Sequence, residues 1–457
     1  MARTKQKTSE TDLPVVHRNA AGLDIGSRFH AVAVEAGRDD VPIRTFGTFT
    51  GELYRLADWL KSVGITTVAM ESTSVYWIPV YEILEARGFE VLLVNARFVK
   101  NVPGRKTDMS DAQWIQRLHQ YGLLRGSFRP RDELGALKSF LRHRERLSQY
   151  RSAHIQHMQK ALMQMNLQLH HVVTDITGVT GMKIMRAIIA GERDPRMLAE
   201  MRDARCKESV EVIEAALRGN YRREHLFALE HALELYDVYG RKIAECDTAI
   251  EHALEELNAT LEPPSEPQPA PRTRSRSSGE PAFDVRSALY LLLGVDLSQI
   301  HGIGPFIALR LIGECGDDMT RWPTAQHFTS WLTLAPANKI SGGKLLSSRT
   351  RRSGSRAAFL FRLAAQAVGR TDTALGAFYR RLGARIGKAK AITATARKLA
   401  VLFYNSLRHG LLYKDPGAAA YDERHRDRVI RNLQRRARQL GYQLVEPDDG
   451  TLADGVS

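Results

Sequence analysis

Cysteine is scarce: Cys206, Cys246 and Cys315 are the only three in 457 residues, far apart and in no CxxC pair. That excludes a disulfide framework and a cysteine-based zinc site, and it suits a reducing compartment. Long apolar runs are missing as well. None approaches the ~18 residues of a membrane span, and the opening MARTKQKTSE lacks the apolar stretch of a signal peptide. The expected location is the cytoplasm, with no membrane partner. No glycine-rich Walker loop occurs, so nucleoside-triphosphate hydrolysis lacks its usual phosphate cradle. Acidic residues are in deficit, with 51 Asp and Glu against 66 Lys and Arg, a net charge of +15. Such a surplus favours polyanions, nucleic acid first and an acidic membrane surface second, although a basic enzyme without such a partner has the same balance. The remainder is globular in composition, 43% hydrophobic and 26% charged, which excludes global disorder.

Three segments differ in texture. Residues 17–128 alternate strand-like and helix-like runs: strands at 21–25 (AGLDI), 30–36 (HAVAVEA), 42–49 (PIRTFGTF), 65–70 (ITTVAM) and 90–94, with helical spacing at Leu53, Leu56, Trp59 and Leu60 and again from Trp77 to Ala86. This alternation predicts an α/β domain with a mixed sheet. Residues 131–260 are almost all helical in pattern. Leu229, Tyr236, Ile243, Ile250 and Leu257 fall seven apart, while Gly240 and Asp247 interrupt the companion row. The pattern predicts a long, imperfect coiled-coil-like helix, packed either within a bundle or across a dimer seam. Residues 262–280 (EPPSEPQPAPRTRSRSSGE) have a composition that cannot bury a core, and read as a linker. Residues 284–412 return to helical patterns, and 421–440 form a basic helical tail.

Four carboxylates of the first segment stand out by their positions at strands and at a helix start. Asp24 sits in the apolar strand LDIGS, where a buried acid is costly unless paired or metal-bound. Glu71 directly follows the strand ITTVAM, at the carboxyl end where sites gather in sheets with parallel strands. Asp108 and Asp111, in KTDMSDAQWIQRL, are three apart at a helix start, a spacing that lets two acids converge; capping the helix is the plain alternative for either. Clustered oxygen donors suit Mg²⁺, which can polarise a phosphodiester. His154, His157, His170 and His171 lack a third ligand nearby and read as solvated helix residues.

The third segment holds two further features. QIHGIGPFIALRLIGECG places Gly302 and Gly304 in a turn like that of a helix-hairpin-helix, whose backbone N–H groups can hold a phosphate; a plain packing turn has the same pattern. Ser341 lies in SGG, where glycines leave its hydroxyl accessible. From Lys344 to Lys398 there are fourteen basic residues, Lys344, Arg349, Arg351, Arg352 and Arg356 among them, against the single acid Asp372. That local +13 marks a phosphate-backbone footprint in which a serine could attack a phosphodiester.

Taken together, GLDIGS with Asp24, AMESTSVYW with Glu71, KTDMSDAQW with Asp108 and Asp111, HGIGPFIA, and LAPANKISGG with Ser341 resemble the DEDD transposases of bacterial insertion sequences, also described as bridge-RNA-guided recombinases. The resemblance spans roughly 20–125 and 285–410. It implies a RuvC-like domain of RNase H fold whose four acids bind Mg²⁺, and a helical C-terminal transposase domain in which Ser341 forms a phosphoserine link to DNA. It further implies a structured guide RNA that pairs with donor and target DNA, and action on DNA in the bacterial cytoplasm at the nucleoid. The hydroxyl would then be activated by the acid cluster, within one chain or between two. One serine per chain implies a homo-oligomer, a dimer or a tetramer on DNA. The long middle segment, the 262–280 stretch and the basic tail depart from the compact family pattern. The other readings are a metal-dependent RNase H-like nuclease or Holliday junction resolvase, and a nucleic-acid-binding scaffold without catalysis.

Overall fold

The computed structural model describes residues 14–95, 110–129, 131–272, 279–352 and 354–445. The chain forms two compact units that divide between Arg129 and Pro130.

In the first unit, β1 (Ala20–Ile25), β2 (Phe29–Ala33), β3 (Ile43–Gly47), β4 (Thr67–Glu71) and β5 (Glu90–Val94) form one sheet in the order β3-β2-β1-β4-β5. The first three strands are antiparallel neighbours, and β4 and β5 continue the sheet parallel to β1. This is an RNase H-like sheet with β1 at its centre. Alternation along the strands sorts the two faces. Leu23, Ile25, Val68 and Met70 enter one core with Leu53, Leu56 and Leu60 of α1 (Thr50–Ser62) and Val80 and Leu84 of α2 (Trp77–Ala86). On the opposite face Ala69 and Val94 pack with Trp114, Ile115 and Leu118 of α3 (Asp111–Gln120). The sequence places the strands within a few residues, but β2 ends at Ala33 where 36 was expected, because the chain turns back there and Val34 N–H donates to the Pro42 carbonyl.

The second unit is helical apart from one hairpin. Its spine is α4 (Asp132–Gln164) against α9 (Arg223–Asn258), an antiparallel pair. Between them α5 (Leu169–Val172), α6 (Val179–Ile189), α7 (Pro195–Glu200) and α8 (Val210–Ala216) build a core with the adjoining ends of both long helices, from Met158 and Leu162 to Leu229 and Leu233. Of the heptad-like residues, Leu229, Tyr236, Ile243 and Ile250 are buried within the chain, and Leu257, near the helix end, is half-buried. The bundle alternative therefore holds, and the dimer seam expected along this row is already filled by α4. The two interruptions have partners there too. Gly240 leaves room for the Arg151 guanidinium, which lies 4.2 Å over the Tyr236 ring and donates to its hydroxyl at 2.8 Å. Asp247 accepts a bidentate bond from Arg144, which is only 4% exposed.

After this pair come α10 (Val285–Leu293), a 3₁₀ turn (Leu297–Gln299), α11 (Pro305–Cys315) and α12 (Ala325–Trp331). The two short strands β6 (Lys339–Ser341) and β7 (Lys344–Ser347) follow, then α13 (Arg356–Val368), α14 (Ala374–Ile386), α15 (Lys388–His409) and α16 (Gly417–Gln439). Phe328, Phe361, Phe403 and Tyr404 meet at the centre of these helices, Phe328 stacked on Phe403 and Phe361 edge-on to both. The segment expected to be a free linker is instead a strap over residues 262–272. Its carbonyls accept from side chains of the body: Glu266 from the Tyr290 hydroxyl at 2.8 Å, Pro269 from Arg286, and Ala270 from Gln299 at 3.1 Å, while Arg272 donates back to the Ser298 carbonyl at 2.7 Å. Composition missed this because a proline-rich chain that buries little apolar surface can still be held through its carbonyls.

Removing one partner of a buried ion pair strands the other charge, at about 3–5 kcal/mol. Asp247→Ala is therefore expected to lower the urea midpoint of the second unit strongly. Arg144→Met combined with Asp247→Leu should recover most of the loss, and equal losses in the single and double variants would contradict the pairing.

Candidate active site

The first candidate site lies at the carboxyl ends of β1 and β4. Asp24 is the fifth residue of β1 and Glu71 the last of β4. The parallel register pairs Leu23 with Met70, so the next step along both strands sets Asp24 beside Glu71. Both acids alternate with the core residues Leu23 and Met70, so they stand on the face covered by α3. Both are half-buried, and Thr73 Oγ1 donates to Glu71 Oε1 at 3.3 Å.

The third element is α3, which runs antiparallel to β1. Its end lies by the start of the sheet, where Val16 and His17 N–H donate to the Gln120 carbonyl and His119 Nε2 meets Thr67 Oγ1 at 2.9 Å. Its beginning, with Asp111, therefore lies toward the ends that carry Asp24 and Glu71. Ser110 caps this helix in a reciprocal capping box with Gln113. Ser110 thus does the capping considered for the aspartates, and Asp111 is an exposed acid in the first turn. Asp108 lies outside the described residues. Among the described residues no three His, Cys, Asp or Glu side chains come together as a metal-ligand group.

Sequence reasoning missed the residue that permits this arrangement. A Cβ on Gly22 would lie 2.2 Å from the Gln116 backbone nitrogen and 2.4 Å from the Ala112 carbonyl oxygen. The α3 backbone thus rests directly on β1, two residues from Asp24. The available signal was a glycine inside a strand, which marks close backbone approach.

The second candidate site is the β6–β7 hairpin. Gly342 and Gly343, at φ +53° and +75°, form the two-residue turn, which needs left-handed backbone at both positions. Ser341 stands just before the turn, cross-strand from Lys344, and is exposed. The hairpin carries no acid or histidine, and the sequence holds no Asp or Glu from 319 to 371. Lys344, Arg349, Arg351 and Arg352 are exposed. Arg356, also exposed, differs in being paired: it meets Glu145 at 2.7 Å, a carboxylate that Arg310 shares at 2.5 Å.

The Gly302 turn has a packing role in full view. At φ +89°, its missing Cβ would fall 2.3 Å from Val368 Cγ2 and 2.6 Å from the Ala364 carbonyl oxygen, so the turn seats against α13. Gly304 caps α11 with Pro305 in its first turn. His154 pairs edge-on with His157 and stacks on Tyr239 at 5.4 Å, and His170 contacts His171.

Comparison with known families matches both regions. Residues 21–167 match the model of the IS110-type DEDD transposases, described as a transposase. Residues 296–380 match the model described as transposase, IS116/IS110/IS902 family. The first span contains Asp24, Glu71, Asp108 and Asp111; the second contains Gly302, Gly304, Ser341 and the basic residues from Lys344 to Arg356. No curated protein matches the chain.

Two outcomes test the seating of α3. Gly22→Ala is expected to displace the helix and destabilise the first unit by about 1–3 kcal/mol, the usual cost of an overpacked contact; chemical denaturation checks it, and an unchanged midpoint would contradict the close approach. His119 is buried, stacks on His17 at 4.6 Å and has no Nδ1 partner among the described residues, and burial lowers its pKa from 6.5 to about 4. The unfolded chain therefore binds more protons between about pH 6.5 and about pH 4, and stability conferred by the neutral ring falls as pH drops through that window. Melting temperature measured against pH should fall less steeply in His119→Gln.

Proposed function

Because the chain belongs to the DEDD transposases of the IS116/IS110/IS902 family and so acts on DNA, we propose that it cuts and rejoins DNA through the Ser341 hydroxyl, assisted by a divalent ion held by Asp24, Glu71, Asp108 and Asp111. The observation that carries this reading is the placement of Asp24 and Glu71 side by side at the ends of adjacent parallel strands, with the start of α3 directed to the same end. An all-carboxylate donor set fits a hard cation such as Mg²⁺, which when bound would supply positive charge against a phosphate. Asp24 and Glu71 would hold it from strands and Asp111 from a helix start, a rigid set of donors.

In the reaction, Ser341 Oγ forms a bond to phosphorus and the bond from phosphorus to a deoxyribose oxygen breaks. The serine proton ends on the departing oxygen. The phosphoserine ester keeps the phosphodiester bond energy, so attack by another deoxyribose hydroxyl reverses the step and joins a new partner. Gly342 and Gly343 hold the hydroxyl at an exposed tip, and Lys344, Arg349, Arg351 and Arg352 would hold neighbouring phosphates. Arg356 is assigned to orienting the unit through Glu145. Gly302 and Gly304 are assigned mainly to packing. A structured RNA from the same element would choose donor and target by base pairing, a reading supported by the family resemblance and by the exposed basic helix α16. Exchange between two duplexes needs several serines, so the active form is read as a dimer or tetramer, associated elsewhere than along α9. The RNase H-like sheet also suits a metal-dependent nuclease or junction resolvase with Ser341 in a structural role.

Ser341→Ala is expected to abolish covalent protein–DNA adducts and recombination while keeping DNA affinity. Asp24→Asn should abolish both with its fold intact. Trapping the adduct on a labelled substrate and mapping it by mass spectrometry is the check. Attachment at Ser347 or Ser348 would overturn the serine assignment, and cleavage without adduct would favour the nuclease.

A further inference from the structure

The β6–β7 hairpin has a second face. Ser341 pairs across with Lys344, whereas the preceding pair is Ile340 with Leu345. Successive residues of a strand point to opposite sides, so Ile340 and Leu345 stand on the reverse of the ribbon from the serine. The register then slips by one residue, and Leu346 is the extra member of the bulge. These three side chains are 65%, 57% and 68% exposed. Large aliphatics on a two-stranded ribbon are ordinarily covered, since an isolated hairpin is marginal in water. Here they project beside a hydroxyl, among Lys339, Lys344, Arg349, Arg351 and Arg352, in a stretch with no acid for some fifty residues.

We propose that this hairpin is a strand-separating wedge for duplex DNA, in which Ile340 and Leu345 displace a base next to the phosphate that Ser341 addresses. The inference rests on the reading of Ser341 as nucleophile and extends it to the bases. The chemistry of the two faces differs in the way a separated duplex requires. Ser341 and Lys344 suit a sugar-phosphate strand, and the aliphatic pair suits the flat apolar surface of an unstacked base. Apolar side chains of this kind open base steps in other DNA-bending proteins. The surrounding cations exclude a basic or unscreened partner and favour a polyanion. The twist that a bulge adds to a ribbon also suits entry between two strands.

The test uses the full chain with Ser341→Ala, so that cleavage does not intervene, and a duplex from the end of the insertion element with 2-aminopurine beside the expected cleavage point, plus the RNA transcribed from that element. Binding should raise the fluorescence severalfold. Adding Ile340→Thr and Leu345→Thr, which retain strand propensity, should remove most of the rise while affinity changes less than about threefold. Leu345→Phe should keep it. With Ser341 restored, the double threonine variant should cleave intact duplex poorly and recover on a duplex with a mismatch at that step. Equal fluorescence in the threonine variant, or no rescue by the mismatch, would overturn the wedge. So would a change in sedimentation of the DNA-free protein, which would make the face an interface between copies. Failure of the serine reading is separate: it appears as absence of a Ser341 adduct in the wild-type chain, and leaves the fluorescence result unaffected.

Discussion

The first unit depends on the absence of one carbon atom. With no Cβ at Gly22, α3 lies on the central strand at backbone contact, closer than any side chain would permit. The contact fixes both the height of the helix over the sheet and its position along β1, since Gln116 and Ala112 straddle the gap. Gln116 then donates to the Ala20 carbonyl and Gln120 to Glu35, which pins the far end. With that end fixed, the start of α3 has one place to go, toward Asp24 and Glu71. The acid end of the sheet is thus a consequence of backbone packing, and its carboxylates need no attraction for one another to be held there. Mutual repulsion among them is tolerated because the Gly22 contact and the apolar layer of Trp114, Ile115 and Leu118 hold the elements regardless.

This explains which parts of the fold were legible in the chain. Short, nearly continuous apolar runs in AGLDI and ITTVAM mark strands buried on both faces, and the acids stand out because they break an apolar pattern. The sheet and the positions of two candidate site residues, Asp24 and Glu71, followed from that. Gly22 did not, because a glycine has no side chain to advertise its role, and only the facing helix shows why it is there. Ser110 was hidden for a related reason: Asp108 and Asp111 are equally good capping residues, and the reciprocal bond with Gln113 decides among them. The long helix α9 was legible in its period and ambiguous in its partner. A heptad pattern records that one face is covered, and α4 and a second chain would leave the same record. The interruptions Gly240 and Asp247 held the answer, since each matches an arginine of α4, but a sequence does not say which of many arginines answers which gap.

Charge sorts in the same way. The basic surplus counted from sequence includes arginines with very different duties. Arg142 and Lys138 meet Glu314, Arg310 and Arg356 meet Glu145, and Arg131 meets Asp317. These ion pairs tie α4 to the chain that follows it, with Glu314 and Glu145 each shared between two cations. Lys344, Arg349, Arg351 and Arg352 have no acid near them in the chain and lie in water. α16 extends the same distinction: apart from Tyr421, which packs on Phe378 and bonds Arg381, it is an exposed row of arginines with Ile430 and Leu433. On the proposed reading, a footprint for phosphate is narrower than the composition implies, and it falls on the exposed cations of the hairpin and the last helix.

The hairpin that carries Ser341 is built for access and not for activation. A hydroxyl is a weak nucleophile until a base or a cation takes up its proton or its developing charge. Neither ribbon strand offers a histidine or a carboxylate, and the adjoining lysines and arginines can orient a phosphate but cannot accept a proton at neutral pH. On the proposed reading the serine is consequently inert in the bare hairpin, and reactivity arrives only when the remaining parts of the reaction are assembled around it. That division has a use in a recombinase. A serine reactive on its own would attack any backbone that the cations attract, and the same cations bind DNA without regard to sequence. Separating phosphate capture from hydroxyl activation lets non-specific binding proceed without cutting, and leaves commitment to the step that brings the activating groups into place.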